Sequence, residues 1–147
     1  MLIMGLSFSH KMWGDLRTFL AQRRRVILLD NRGAGKSSTP TRAFSMATMA
    51  ADAICVLDAA GVAETDVFGI SMGGMISQEL GIRYPDRVRS LVLGCTTCGG
   101  HRGAWPSPIA LRPLTDPFLT RAARVRKAIP ILFDPSTPAD RIDEFGC

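Results

Sequence analysis

No apolar stretch in the 147-residue sequence approaches the roughly 18 uninterrupted residues that a membrane-crossing helix needs, which excludes such a helix. The opening residues Met1 to Trp13 have no basic region before a long apolar run and no cleavage pattern, so a secretory signal is not expected. Cysteine is scarce. Four residues (Cys55, Cys95, Cys98, Cys147) are too few for a disulfide scaffold in a chain this size, and without a signal the expected compartment is the reducing cytoplasm. Histidine is scarcer still, with only His10 and His101. Repeats and low-complexity segments are absent. A concentrated basic footprint is missing too. The 18 Lys and Arg against 13 Asp and Glu leave +5. That excess is spread as 11 against 8 over residues 1–100 and 7 against 5 over 101–147. Only Arg23, Arg24 and Arg25 cluster, which reads as a solvated turn rather than a nucleic-acid site.

What is present is an ordinary globular composition, 46% hydrophobic and 21% charged, enough for one domain with a core and too little for disorder. Short apolar runs alternate with amphipathic stretches, the signature of an α/β fold in which helices cover a parallel sheet. Strands are expected at Leu2 to Met4, Val26 to Leu29 (buried), Asp66 to Phe68 and Ser90 to Leu93. The spacing predicts a helix over Lys11 to Ala21 with Met12, Leu16, Phe19 and Leu20 on one side. A second runs from Met46 to Ala60, capped by Ser45 and ended by Gly61 in the left-handed conformation. A third covers Met72 to Tyr84 and stops at Pro85. After Gly100 the character changes. A Pro-rich, loop-like stretch runs to Asp116, followed by a basic amphipathic helix over Phe118 to Ala128 and a weak helix start at Thr137 to Asp140. The expected division is therefore 1–100 as core and 101–147 as an appended helical segment.

Three motifs carry possible chemistry. Cys95 and Cys98 have C-x-x-C spacing, but they follow Leu91-Val92-Leu93 and precede Gly99-Gly100, in a loop leaving a strand. A redox pair wants its first cysteine at a helix N-terminus and a zinc site wants a second ligand pair, so a structural role is expected. Gly35-Lys36-Ser37 resembles the end of a phosphate-binding P-loop. That loop needs glycine at position 30, where Asp30 would repel phosphate, and Ser38-Thr39-Pro40 continue as loop instead of opening a helix. The strongest motif is Gly69-Ile70-Ser71-Met72-Gly73, or G-x-S-x-G, between a strand and a helix. In that context the turn is so sharp that the serine backbone is strained and Oγ is exposed. Gly69 and Gly73 remove colliding side chains, and Gly74 lets the helix pack closely. Ser71 is thus a candidate nucleophile, with the Met72 N–H at the helix N-terminus as an oxyanion donor.

Taken together, Asp30-Asn31-Arg32-Gly33-Ala34-Gly35-Lys36-Ser37 after one strand and Gly69-Ile70-Ser71-Met72-Gly73-Gly74 after the next resemble the α/β-hydrolase superfamily. Within it, the likeness is to esterases, lactonases, including 3-oxoadipate enol-lactonase-like proteins, and C–C hydrolases. It covers Leu2 to about Gly100 and includes the link Tyr84 to Leu93. The resemblance implies a partial α/β-hydrolase sheet with flanking helices, followed by the start of a helical cap. It makes Met4-Gly5-Leu6 the counterpart of the family's H-G-x loop, with the Leu6 N–H as second oxyanion donor and Met4 in place of His. It also implies that strands belonging before Leu2 and after the cap are lacking, and with them the acid and histidine of the triad. Neither His10 nor His101 matches the catalytic histidine; both read as surface or loop residues, and Asp30 and Arg32 as structural braces.

The function expected is a serine hydrolase acting on a small carboxylic ester, thioester or lactone. Ser71 would be the nucleophile and Leu6 and Met72 the oxyanion donors, with no metal or organic cofactor. No nucleic-acid or membrane partner is expected, and the oligomeric state is left open. The alternative is a truncated, catalytically incomplete fragment that acts only as a binding or pairing module, since an incomplete sheet leaves open strand edges.

Overall fold

The structure is a computed structural model, and it describes residues 1–99, 103, 107, 108, 112, 115, 116, 118–120, 123, 126, 127, 129, 130 and 135–138. The chain falls into two compact units, Met1–Ala104 and Trp105–Cys147. In the first unit the order is β1 (Leu2–Ile3), a 3-10 turn (His10–Trp13), α1 (Gly14–Ala21), β2 (Leu28–Leu29) and α2 (Met46–Ala59). Then follow β3 (Thr65–Ile70), α3 (Met72–Arg83), a 3-10 turn (Pro85–Arg87) and β4 (Val88–Gly94).

All strand pairs are parallel, and the spatial order is β2-β1-β3-β4. Leu2 pairs with Leu28 on one side and Phe68 on the other, and the β3–β4 ladder runs from Thr65–Val88 to Ile70–Gly94 with one irregularity at Thr65/Asp66. From β1 the chain moves outward one way to β2, then crosses back to β3 and continues the other way to β4. The reversal falls between β1 and β3. In an open parallel sheet, that switch point opens a crevice at the carboxyl ends of the two strands.

The core lies between the sheet and helices α2 and α3. Ile3, Met49, Ala53, Leu57, Val67, Ile76 and Leu80 are buried there. β3 alternates as a half-covered strand should, with Thr65, Val67 and Gly69 turned into this core. Helix α2 starts as its sequence signals: Ser45 accepts from the Thr48 N–H while the Thr48 side chain takes the Ser45 N–H, a complete capping box. Gly61 follows it at φ +64°.

The other face of the sheet departs from expectation. The helix expected from Lys11 is split, because Gly14 at φ +45° and ψ −134° separates the 3-10 turn from α1. α1 buries no residue; Leu16 and Phe19 are exposed, the latter by 65%. Trp13 is buried on this face, its ring 5.0 Å from that of Phe68. The expected buried strand Val26 to Leu29 narrows to Leu28–Leu29, and of those four residues only Leu29 is buried. An open groove of about 550 Å³ remains on this side, lined by Leu2, Leu20, Ile27, Phe68 and Val92 among others. β4 is an edge strand whose Leu91, Val92 and Leu93 are all exposed.

In the second unit, Pro108, Arg112 and Thr115 are helical where a loop was expected. Phe118 and Leu119 lie in a turn and bend instead of opening a helix. The Asp116 carboxylate takes the Phe118 N–H at 2.9 Å, and the Thr120 hydroxyl takes the N–H of helical Ala123. Thr137 and Pro138 are not helical. The remaining residues of these expected segments, His101, Ala139 and Asp140 among them, lie outside the described residues.

Candidate active site

β3 delivers the chain to Ser71, and α3 begins at the next residue. Ser71 adopts φ +55° and ψ −121°, a conformation that costs a residue with a Cβ about 1–3 kcal/mol. The surroundings hold it there. Its N–H donates to the Gly94 carbonyl at the end of β4 (2.9 Å). Its carbonyl accepts from the Gly74 N–H at 2.9 Å and the Thr96 hydroxyl at 2.7 Å. A Cβ on Gly73 would collide with the Ile3 carbonyl, and one on Gly69 with Ser77 and the Gly73 backbone. The expected strand–turn–helix context is therefore present, and Ser71 is exposed.

The loop leaving β1 passes directly beside it, because β1 and β3 are neighbours. A Cβ placed on Gly5 would stand 3.6 Å from Ser71 Oγ and 3.2 Å from its Cβ. Leu6 follows, half-buried, and Met72 opens α3. Among the described residues, neither the Leu6 N–H nor the Met72 N–H donates to a protein acceptor, so both are available to a ligand. An N–H at the first turn of a helix is unpaired by construction and carries the positive end of the dipole. The crevice thus brings together Ser71, Met72 and the loop that bears Leu6.

It does not bring in an imidazole. Among the described residues, Ser71 Oγ has no hydrogen-bond partner. His10 stands at the start of a helical turn, as expected, and is half-buried and bonded. Its N–H donates to Asp30 Oδ1 at 2.7 Å, and its Nδ1 lies 2.9 Å from the same oxygen. Burial opposes the charge on Asp30, but hydrogen bonds from the His10 and Lys36 N–H groups and from the His10 ring outweigh it and hold the carboxyl below its usual range. His101 lies outside the described residues.

Asp30 and Arg32 act as braces, as expected. Gly33 and Gly35, both at positive φ, wrap the loop around the Asp30 carboxylate, which receives the Lys36 N–H at 2.9 Å. The concavity that a phosphate would need is filled by the protein's own carboxylate. Arg32 grips Asp52 with two nitrogens (2.7 and 2.5 Å) and lies over the Phe44 ring. Among the described residues, no three His, Cys, Asp or Glu side chains gather as a metal site, and no helix is long and apolar enough to cross a membrane. Sequence reasoning missed Thr96, Asn31 and Gln78. Thr96 braces the Ser71 carbonyl, Asn31 Nδ2 donates to the Met4 carbonyl at 2.7 Å, and Gln78 ties the Thr96 loop to α3 through the Thr97 carbonyl.

A parallel sheet whose switch-point crevice holds a strained serine between strand and helix defines the α/β-hydrolase class. Comparison with known proteins agrees: the family model described as alpha/beta hydrolase fold matches residues 1–130, and the chain belongs to that family. It is similar to "Putative carbamate hydrolase RutD" of Azorhizobium caulinodans, at 38% identity over 125 residues covering 85% of this chain and 42% of that protein. It is similar as well to 3-oxoadipate enol-lactonase 2 of Acinetobacter baylyi, at 33% identity over 68% of this chain and 38% of that one. Among solved structures, a thermophilic esterase from Thermogutta terrifontis superposes with a TM-score of 0.64 at 31% identity, over 74% of this chain and 39% of the esterase. The chain spans about two-fifths of the length of these relatives.

Proposed function

We propose that this chain carries the nucleophile and oxyanion-binding part of a cytoplasmic serine hydrolase for small carboxylic esters, thioesters or lactones, with residues 101–147 beginning its cap. The observation that carries the reading is the exposed Ser71 at φ +55°, with the Gly5–Leu6 backbone on one side and the first turn of α3 on the other. Ser71 Oγ attacks the acyl carbon while a base takes its proton. The carbonyl oxygen becomes an oxyanion between the Leu6 and Met72 N–H groups. Collapse expels the alcohol or thiol, or opens the lactone, and water releases the acyl group by the same route. The lactone substrate class is supported by the enol-lactonase relative, and the ester class by the esterase likeness. Cys55, Cys95 and Cys98 are free, which fits a reducing compartment.

Reaction of a p-nitrophenyl ester with the full chain tests this reading. With no imidazole at Ser71 among the described residues, the expected rate is only what the oxyanion donors and binding supply, about 10³–10⁴-fold over water, and that rate does not depend on the serine. The covalent acyl adduct is the readout that does: intact-mass analysis should find slow acylation of the wild type and none at this position in Ser71→Ala. Equal acylation in that variant overturns the reading. The alternative, a pairing module without catalysis, is favoured by one observation, the bare apolar edge of β4. It predicts association of the chain with no Ser71-dependent acylation.

A further inference from the structure

The loop that carries Leu6 is tied at both ends to two consecutive residues of the loop after β2. At its start, Asn31, only 4% exposed, donates from Nδ2 to the Met4 carbonyl at 2.7 Å. At its far end, Asp30, with a side chain 7% exposed, accepts the His10 N–H at 2.7 Å and meets His10 Nδ1 at 2.9 Å. The anchor itself is rigid. Asp30 Oδ2 takes the Lys36 N–H, its carbonyl takes the Ser37 hydroxyl at 2.6 Å, and Gly35 folds against the carboxylate. Between the ties, Phe8 and Ser9 are buried and Leu6 and Ser7 are half-buried. Among the described residues its one internal backbone hydrogen bond joins Phe8 to Gly5 at 3.4 Å, and Ser7 sits at φ +66°.

We propose that Asp30 and Asn31 are positioning residues that clamp the Met4–His10 loop at both ends and so aim the Leu6 N–H at the oxyanion. The proposal rests on the serine-hydrolase reading above. Neither side chain bonds to Ser71; both act through the loop backbone. A donor serves the oxyanion only within a narrow range of positions, and a 1 Å misplacement can cost about 10²-fold in rate. The bonds to Asn31 and Asp30 fix the backbone on either side of Leu6, at the Met4 carbonyl and the His10 N–H. Placing both anchors on adjacent residues makes them move together, so the loop is set by a single rigid body.

The test uses a fluorophosphonate at high concentration on the full chain; it phosphonylates a serine through the same oxyanion donors with loss of fluoride, slowly where no imidazole stands at the serine. Saturation kinetics separate the maximal labelling rate from the half-saturating concentration. Asn31→Ala and Asp30→Asn should lower the maximal rate about 10- to 100-fold with the half-saturating concentration unchanged, the pattern of an interaction made only in the transition state. His10→Ala keeps the backbone N–H bond to Asp30 and should lose less than either. Amide hydrogen exchange should speed up in residues 5–12 of the first two variants and stay unchanged in α2 and β3. Wild-type labelling rates in both variants overturn the proposal, as does exchange that rises equally in α2 and β3, which marks a general scaffold role. If the wild type is unlabelled, or Ser71→Ala is labelled equally, the hydrolase reading fails and the positioning role falls with it. Exchange in residues 5–12 then still reports whether the loop is clamped, so the two failures are told apart.

Discussion

The two faces of the sheet come out differently, one under two helices and the other under the short α1. On one face α2 and α3 bury Met49, Leu57, Ile76 and Leu80 completely or nearly so. On the other, α1 has no side-chain cap at its start, buries nothing and leaves Phe19 exposed. The strained Ser71 belongs to the first face, at the end of the strand whose Val67 packs under α2 and α3. A conformation costing about 1–3 kcal/mol persists only where surrounding packing over-determines it. The site sits where the molecule is best able to hold it.

The sharpest way to break this contrast is to remove one apolar side chain from each face. Leu80→Ala, in the closed core, should cost about 2–5 kcal/mol. Phe19→Ala, on exposed α1, removes a larger side chain and should change stability by no more than about 0.5 kcal/mol. Urea denaturation of both variants checks this. Equal losses would mean that α1 is packed after all.

Next in size is the acid response of the clamp between the β1 and β2 loops. Asp30 has a folded-state pKa below its unfolded value. Its contribution to stability is therefore complete above the unfolded value of about 3.9 and is lost as pH falls through the lower folded value. Stability against urea in the wild type should drop more steeply than in Asp30→Asn as pH falls below about 4. Parallel acid limbs for the two proteins would contradict the assignment.

Capping gives a smaller test of why the two faces differ. α2 begins with a complete capping box and α1 with Trp13, whose side chain makes no cap bond. Ser45→Ala should cost about 1 kcal/mol of global stability, because α2 cannot fray without opening the core. α1 needs no mutation to show the converse. Its amides should exchange through local opening, faster than those of α2, in native-state hydrogen exchange.

Much of the packed face was legible because its signals are local. Ser45, Gly61, Pro85 and the spacing of Met49, Ala53 and Leu57 fixed α2 and α3 within about one residue, since caps and breakers act on their own neighbours. Ser71 and its flanking glycines were legible for the same reason. The split at Gly14 was not, because glycine inside an amphipathic pattern gives no sign of adopting positive φ. Nor were the bonds that complete the site. Asn31–Met4, His10–Asp30 and Thr96–Ser71 join residues 27, 20 and 25 positions apart. They meet only because the strand order is β2-β1-β3-β4, and that order is a property of the whole sheet.

The smallest expected change in stability comes from the edge of the sheet. β4 gives one side to β3; among the described residues its other side pairs with no strand, and three of its apolar side chains are exposed. Register places Leu91 and Leu93 beside Val67 and Gly69 on the α3 face, and Val92 beside Phe68 on the open face. Val92, 54% exposed, thus has little to lose from a charge, and Val92→Lys should shift the melting free energy by no more than about 0.5 kcal/mol. Its effect should appear in association instead. A long, flat, apolar edge templates pairing with another chain, and lysine on such an edge blocks it. Light scattering should show the wild type associating as concentration rises and Val92→Lys staying monomeric over the same range. If both associate alike, contacts elsewhere drive the association, and the edge of β4 is not the adhesive surface its exposure implies.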